Sequence, residues 1–224
     1  MKKILFPAAL AALCTAAVAY AADAPKSGAA APAAAPAAAA AAPAPMEPPK
    51  PGDEVKALKP LFNGTGTWTG KVPAGAMGPQ QTADMTTHGK AVCKEMLGGF
   101  WYACDVTDTM GTGKTAMTWM GHMMTGWDAQ SKSYVSYTVD NMGMGAVFTG
   151  TMDAANKKFT LESQQPMMMM GQMMKDRLTW DWSDAKGMVK FTDEHQMAGS
   201  TTWTTFETAE MKMTGAAGTK KAGT

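Results

Sequence analysis

Branched aliphatic residues are scarce in this 224-residue chain, whereas methionine is abundant. Ile4 is the only isoleucine, and beyond residue 21 the chain has only five leucines and eight valines. It has 23 methionines, of which only Met1 lies in the first 21 residues. So few leucines and valines cannot fill the core of a sizeable domain. Many methionines must therefore be core residues, because a flexible thioether side chain fills irregular gaps.

Other absences exclude whole classes of function. The chain has a single arginine, and its net charge of +1 falls to about −1 when Lys2 and Lys3 are removed, which argues against a nucleic-acid-binding protein. Beyond residue 21, no apolar run approaches the roughly 20 residues of a membrane span. The sequence contains no G-x-S-x-G, phosphate-loop or H-E-x-x-H motif. It therefore predicts a non-catalytic protein without a transmembrane segment in the mature chain.

The first 52 residues have the pattern of an export signal followed by a linker. Lys2 and Lys3 precede an apolar run, and Ala19-Tyr20-Ala21 fits a cleavage site. Alanine and proline dominate the next 31 residues and offer little to pack a core. A leader of this kind predicts a periplasmic or secreted protein. The predicted divisions are a signal peptide at 1–21, a disordered linker at 22–52, one domain at 53–214 and a disordered tail at 215–224.

The domain has the pattern of one short helix followed by many short strands. Asp53 is predicted to cap a helix over residues 54–59, which Pro60 ends. Runs rich in Thr, Val, Trp, Tyr and Phe then alternate with Gly, Asn, Asp and Lys. Regularly spaced hairpins predict an all-β fold, a single antiparallel barrel of about ten strands. The predicted strands cover residues 65–72, 84–96, 100–109, 114–126, 132–140, 144–153, 157–164, 173–183, 187–197 and 200–213.

Short motifs follow one another along the domain in a specific order. They include Leu61-Phe62-Asn63-Gly64, Gly98-Gly99-Phe100-Trp101 and Asp176-Arg177. This order resembles a bacterial family known only as a domain of unknown function, and it extends over roughly residues 54–214. The resemblance implies a lipocalin-like β-barrel with a short N-terminal helix near one end.

The first predicted strand carries a second resemblance. Gly66-Thr67-Trp68 is similar to the G-x-W signature of lipocalins. The similarity implies structural roles for Gly66 and Trp68, in which the tryptophan seals the barrel floor beneath a basic residue of the last strand. Lys212 is the candidate for that residue, although it lacks the planar guanidinium that stacks on an indole.

Cys93 and Cys104 lie at equal distances from Gly98-Gly99 along the chain. If these glycines form the centre of a hairpin, the two cysteines face each other on adjacent strands. An exported protein with two cysteines in its mature chain favours a disulfide between them. Two unpaired thiols, or two thiolate metal ligands, remain as alternatives.

A lipocalin-like barrel predicts a small, largely apolar ligand in its interior. The only arginine of the chain, Arg177, is predicted to lie inside and to hold an anionic or carbonyl group of that ligand. A surface ion pair with Asp176 or Asp181 is the alternative. The aromatic candidates for the same cavity, each of which could equally be core, are Trp119, Trp127, Tyr134 and Trp203.

Methionines and histidines also cluster in patterns that suit a soft metal. Thioethers select Cu(I), and imidazole suits copper as well. The alternative function is therefore Cu(I) or Ag(I) binding, or oxidant buffering through reversible methionine sulfoxide. The shortage of leucine and isoleucine explains many of the methionines without a metal, and a structural barrel without a ligand is a further alternative. The candidate metal ligands are Met120, His122 and Met124, the run Met167, Met168, Met169 and Met170, and the pair His195 and Met197.

Overall fold

The structure is a computed structural model that describes residues 49–169, 171–184 and 187–215. The predicted signal peptide, most of the predicted linker, Met170 and all but the first residue of the predicted tail lie outside the described residues. Within them, no helix is long and apolar enough to cross a membrane.

In the described part of the chain, two short α-helices precede eleven strands, and most strand bounds lie within a few residues of the predicted ones. The helices are α1 (Asp53–Ala57) and α2 (Lys59–Phe62). The strands are β1 (Gly64–Val72), β2 (Met85–Met96), β3 (Trp101–Met110), β4 (Met117–Asp128), β5 (Ser133–Asp140), β6 (Gly145–Asp153), β7 (Lys158–Ser163), β8 (Met167–Met169), β9 (Gln172–Asp181), β10 (Met188–Met197) and β11 (Thr204–Thr214).

Ten of these strands form a closed antiparallel barrel. Strands β1 to β7 pair in chain order, β7 pairs with β9, β9 with β10, β10 with β11, and β11 closes the ring on β1. The three-residue β8 pairs with the start of β9, on the same edge as β7. Strands β7 and β8 therefore act as two parts of one interrupted strand. The prediction of an all-β fold with a single antiparallel barrel is confirmed.

The helical segment differs from its prediction. Gly52 occupies the N-cap position, Asp53 is the first helical residue, and no side chain caps the helix. Asp53 instead forms an exposed ion pair with Lys56 at 2.8 Å. Pro60 lies in the first turn of α2 and does not end α1, because proline needs no N–H partner in the first turn of a helix. The sequence therefore predicted the position of the helical segment correctly. The predicted N-cap residue and the predicted last residue of the helix were wrong.

Aromatic rings fill the barrel end that the two helices cover, which we call the closed end. Phe62 of α2 packs edge-on against Phe159 and Trp180, with ring centroids 5.9 and 5.5 Å apart. Tyr134 packs on Phe159 at 5.2 Å and donates a hydrogen bond to the carbonyl oxygen of Glu54 in α1. The opposite end, which we call the mouth, is formed by the β1–β2, β3–β4, β5–β6, β7–β9 and β10–β11 connections.

The disulfide prediction is confirmed. Cys93 and Cys104 are directly opposite residues of β2 and β3, and their sulfur atoms are bonded. Both cysteines belong to the core cluster that contains Leu61 and Phe62. The bond therefore joins β2 to β3 close to the closed end.

Gly66 and Trp68 have close contacts inside β1, although Lys212 is not their partner. A Cβ on Gly66 would lie 2.9 and 3.0 Å from the sulfur atoms of two methionines of β11, and the Trp68 ring occupies the space that a side chain at Gly89 would need. Lys212 is exposed, and it pairs with Thr67 rather than with Trp68. Side chains of adjacent strand residues point to opposite faces, so Lys212 cannot lie beneath the indole.

Candidate functional site

The barrel contains a cavity of about 370 Å³. Alternation along each strand points every second side chain inward, so all ten barrel strands can contribute to such a lining. Leu61 and Phe62 of α2 line it at the closed end. Met142 and Met168 also line it and are 55% and 56% exposed. The cavity therefore extends from the helices to solvent at the mouth.

Methionine is the most frequent residue type in the cavity wall. Met123, Met211 and Met213 line its deeper part. A larger group comes from four of the five connections that form the mouth or from the strand ends beside them. These residues, which we call the mouth methionines, are Met77, Met110, Met117, Met142, Met144, Met167, Met168 and Met169.

Five carboxylates line the same cavity, and Asp108 and Glu207 are two of its buried ones. Trp68 donates a hydrogen bond from Nε1 to Asp108 at 3.1 Å, yet burial raises the pKa of Asp108. Thr87 donates a hydrogen bond to Glu207. Burial and the negative charge of Asp108 raise the pKa of Glu207 to about 7. This part of the wall therefore keeps at least some of its carboxyl groups protonated near neutral pH.

Asp140 shapes the mouth between β5 and β6. Its Oδ1 accepts hydrogen bonds from the backbone N–H groups of Met142 and Met144, both at 2.9 Å. Its Oδ2 accepts a hydrogen bond from Nε1 of Trp119 at 3.0 Å. A single carboxylate thus holds two mouth methionines and one indole around the cavity entrance.

Strand pairing brings Asp176, Asp193 and His195 together, and we call them the Asp-Asp-His cluster. His195 of β10 lies opposite Asp176 of β9. Asp193 precedes His195 by two residues, so the two side chains share one face of β10. One ligand atom of each residue lies within 4.8 Å of the others, and His195 Nε2 is 3.4 Å from Asp193 Oδ1. Both aspartates line the cavity.

The cluster is buried and poorly satisfied. Asp176 and His195 are each only 7% exposed, and Phe206 stacks on the imidazole with centroids 4.4 Å apart. Within the described part of the chain, Oδ1 of Asp176, Oδ1 of Asp193 and Nε2 of His195 have no hydrogen-bond partner. Burial raises the pKa of Asp176 to about 6 and lowers that of His195 to about 4. Burial and the neighbouring Asp176 raise the pKa of Asp193 well above its usual value.

Arg177 does not lie in the cavity, which corrects the prediction of a ligand contact there. Its guanidinium forms an ion pair with Glu194 at 2.8 Å and lies 3.8 Å from Glu162. It also lies 4.3 Å from the centre of the Trp203 ring, so Trp203 is likewise held outside the cavity. The surface ion pair was the correct alternative, with glutamate partners in place of the aspartates. The opposite face of β9, which carries Asp176, points inward.

Of the four aromatic candidates, only Trp119 lines the cavity. Trp127 and Tyr134 pack edge-on against each other at 4.9 Å, beneath the helices of the closed end. Trp127 and Tyr134 are therefore core residues, which was the alternative to a ligand contact for each of them.

The predicted metal ligands are divided between two surfaces. Met120 and His122 face the outside of β4, where His122 Nδ1 lies 2.8 Å from Asp105 Oδ1, and Met124 shares that face by alternation. Met197 is 42% exposed, whereas His195 is buried beside the cavity. Met167, Met168 and Met169 line the cavity. The structure therefore does not bring this set together as one site.

The residues that the sequence reasoning missed are the remaining mouth methionines and the interior carboxylates. Asp193 and His195 share a strand face with the apolar Phe191, and this alternation was visible in the sequence. An acidic residue at an inward position of an otherwise apolar strand face was the feature of the sequence that could have predicted the Asp-Asp-His cluster.

Comparison with profiles of known protein families identifies a family. Residues 50–213 match the profile of a family described as a protein of unknown function (DUF1579). No curated protein matches the chain. The matched range includes both helices and all strands except the last residue of β11.

Proposed function

We propose that this chain, which belongs to the DUF1579 family of proteins of unknown function, binds a small, largely apolar ligand inside its β-barrel. The observation that carries this proposal is the cavity of about 370 Å³ that reaches the mouth. Ligand pockets commonly have volumes of roughly 300–1,000 Å³ and mostly apolar walls. A space of this size that side chains could fill costs stability, so its presence favours a binding role.

The polar groups of the cavity indicate what the ligand carries besides apolar surface. Asp108, Asp176, Asp193 and Glu207 line the wall, whereas Arg177 lies outside. Carboxyl groups disfavour an anionic ligand and favour one with hydrogen-bond donors or a positive charge. The ligand we propose is therefore neutral or cationic, in contrast to the anionic or carbonyl group that the arginine suggested.

The proposal is for binding without catalysis. Both cysteines of the described residues are in the disulfide, so neither supplies a free thiol to the cavity. The disulfide also fits an oxidising compartment. Together with the leader-like pattern at residues 1–21, it supports a periplasmic or secreted protein.

A neutral fluorescent probe tests the ligand proposal. N-phenyl-1-naphthylamine gains fluorescence on entering an apolar pocket, and we expect it to bind the purified protein saturably. Ala146 lines the cavity, and its neighbour Val147 is exposed on the outer face of β6. Ala146→Phe should weaken probe binding at least tenfold because a ring of this size fills much of the cavity, and Val147→Phe should leave it unchanged. Equal affinities of the two variants would contradict the proposal.

Native mass spectrometry can identify the ligand itself. Protein purified from the compartment to which it is exported should carry a discrete organic adduct that unfolding releases. The same spectrum should show a mass two hydrogens lower than that of the reduced chain, because of the disulfide. A mass without any adduct, together with no binding of the probe, would contradict the proposal and support the alternative of a structural barrel without a ligand.

A second candidate function is soft-metal binding, and the convergence of the eight mouth methionines favours it. Thioethers select Cu(I) and the related Ag(I). Replacing Met167, Met168 and Met169 by leucine should abolish stoichiometric Ag(I) binding if the mouth is the site. The matched control replaces Met120 and Met124 on the outer face by leucine and should retain it. Ag(I) binding that neither set of replacements changes would contradict this candidate.

A further inference from the structure

The Asp-Asp-His cluster has the donor set of a divalent metal site. Two carboxylates and one imidazole are the groups that bind Zn²⁺ and related ions, at about 2.0–2.2 Å from the metal. Ligand atoms around a tetrahedral ion at such distances lie about 3.4 Å apart. His195 Nε2 and Asp193 Oδ1 are already separated by 3.4 Å, and the atom that Asp176 offers lies within 4.8 Å of both. Small side-chain rotations would bring all three to one ion.

The strands and their neighbours fix these three residues in place. Asp176 and His195 are opposite residues of paired strands, and the backbone N–H of Asp176 donates a hydrogen bond to Oγ of the buried Ser163 at 3.0 Å. Phe206 stacks on the imidazole, which limits its rotation. The positions of the donor atoms are therefore set by the fold of the barrel rather than by a mobile loop.

The donor atoms of the cluster also lack partners. One oxygen of each aspartate and Nε2 of His195 are buried without a hydrogen bond, although buried polar atoms are nearly always satisfied. Within the described residues, neither aspartate forms an ion pair with a lysine or arginine. The single arginine of the chain, Arg177, lies on the outer face beside Glu162 and Glu194. A cation among the three residues would satisfy all three atoms and balance the buried negative charge.

We propose that Asp176, Asp193 and His195 bind one divalent transition-metal ion in the barrel wall, with Zn²⁺ as the representative ion. Both aspartates line the cavity, so the remaining coordination position of the ion would face the ligand space. The site differs from the mouth methionines in its chemistry, because carboxylate and imidazole donors suit Zn²⁺ whereas thioethers suit Cu(I). It does not depend on the presence of an organic ligand.

Metal titration of the untagged, exported protein tests this proposal. After treatment with EDTA and dialysis, the protein should bind one equivalent of Zn²⁺ at pH 7.5 by isothermal titration calorimetry. Co²⁺ should give visible d–d absorption that Zn²⁺ displaces. Asp193→Asn and His195→Gln should each weaken Zn²⁺ binding at least tenfold, because each removes one ligand. Asp193→Asn removes a buried charge, so the fold should persist, as circular dichroism can verify.

His122 provides the matched control. It lies 2.8 Å from Asp105 and forms an exposed His-Asp pair on the outside of β4. His122→Gln should leave Zn²⁺ affinity unchanged. Absence of stoichiometric binding by the wild-type protein at pH 7.5 would overturn the proposal, since the two aspartates would then be neutralised by protons. An equal loss of affinity in His122→Gln and Asp193→Asn would overturn it as well.

Discussion

The two ends of the barrel differ in how completely their side chains are satisfied. At the closed end, helices cover the barrel, aromatic rings pack edge-on, and the Tyr134 hydroxyl donates to the backbone of α1. Toward the mouth, the wall carries exposed methionines, protonatable carboxyl groups and buried polar atoms without partners. The difference teaches that the groups that stabilise the barrel and the groups that the proposed binding role uses lie in separate halves of it. Unsatisfied groups persist where a functional site needs them.

The largest effect that can test this comparison is expected at the centre of the closed end. Phe159 is fully buried and contacts Phe62, Tyr134 and Trp180. Phe159→Ala should lower the free energy of unfolding by about 3–5 kcal/mol, because it leaves a cavity among rigid rings. Chemical denaturation monitored by tryptophan fluorescence measures the change.

The matched variant at the mouth is Met168→Ala. Met168 is more than half exposed, so its loss should cost less than about 1 kcal/mol. Similar losses in the two variants would show that the two ends do not divide stability and binding as described.

A smaller effect concerns the pH dependence of stability. Burial raises the pKa of Glu207 from 4.5 to about 7, so between these pH values the folded state keeps a proton that the unfolded state releases. The contribution of Glu207 to the free energy of unfolding is full below about pH 4.5 and is lost as the pH rises toward 7. Glu207→Gln should flatten this fall by on the order of 2–3 kcal/mol, as urea titrations at pH 4.5 and pH 8 can measure.

Titratable groups near Glu207 also change the pH dependence of stability, so this experiment needs a control for them. Asp108 and Asp193 face Glu207 and also have raised pKa values. Each therefore also lowers the free energy of unfolding as the pH rises. His195, with a pKa lowered to about 4, contributes a rise in the free energy of unfolding over part of the same range. Glu210→Gln, on the exposed face of the same strand, should leave the slope unchanged. A slope that responds equally to both glutamate variants would rule out the interior carboxylate as its source.

The smallest effect on stability is expected from methionine oxidation. Met142 and Met168 are exposed at the mouth, whereas Met123 and Met211 are each 8% exposed in the wall. Hydrogen peroxide should oxidise the first pair well before the second, with a change in the free energy of unfolding below about 1 kcal/mol. Peptide mass mapping over a time course measures the order. Simultaneous oxidation of all four would contradict the division and weaken the oxidant-buffering alternative.

The strands were predictable from the sequence, whereas the inward face of each strand was less so. Alternation and turn residues are local, and they placed β2 at 84–96 against an observed Met85–Met96. The Cys93–Cys104 pairing was predictable for the same reason, because a hairpin fixes register over a short distance. Arg177 was assigned inward from its rarity alone. The apolar content of the opposite face, with Leu178 and Trp180, was the better guide.

The composition of the cavity could not be predicted, because it depends on closure of the barrel. Met77 and Met168 are distant in sequence, and only the complete ring of strands brings both to one cavity. The Asp-Asp-His cluster likewise depends on the register of β9 with β10, which places Asp176 opposite His195. A shift of one residue in that register would turn Asp176 to the outside.

The pairing of the first strand with the last has a consequence for engineering this protein. Thr65 lies opposite Thr214, so β1 begins and β11 ends at the closed end, on the side of the helices. Fusion partners attached to either terminus of the domain would leave the barrel at the closed end, remote from the mouth. Because the ring of strands has no topological start, a short loop from β11 to α1 would permit circular permutation, with new termini at an exposed hairpin such as Ala154–Lys157. Such permutants would allow reporter domains to be placed around the barrel without obstructing its entrance.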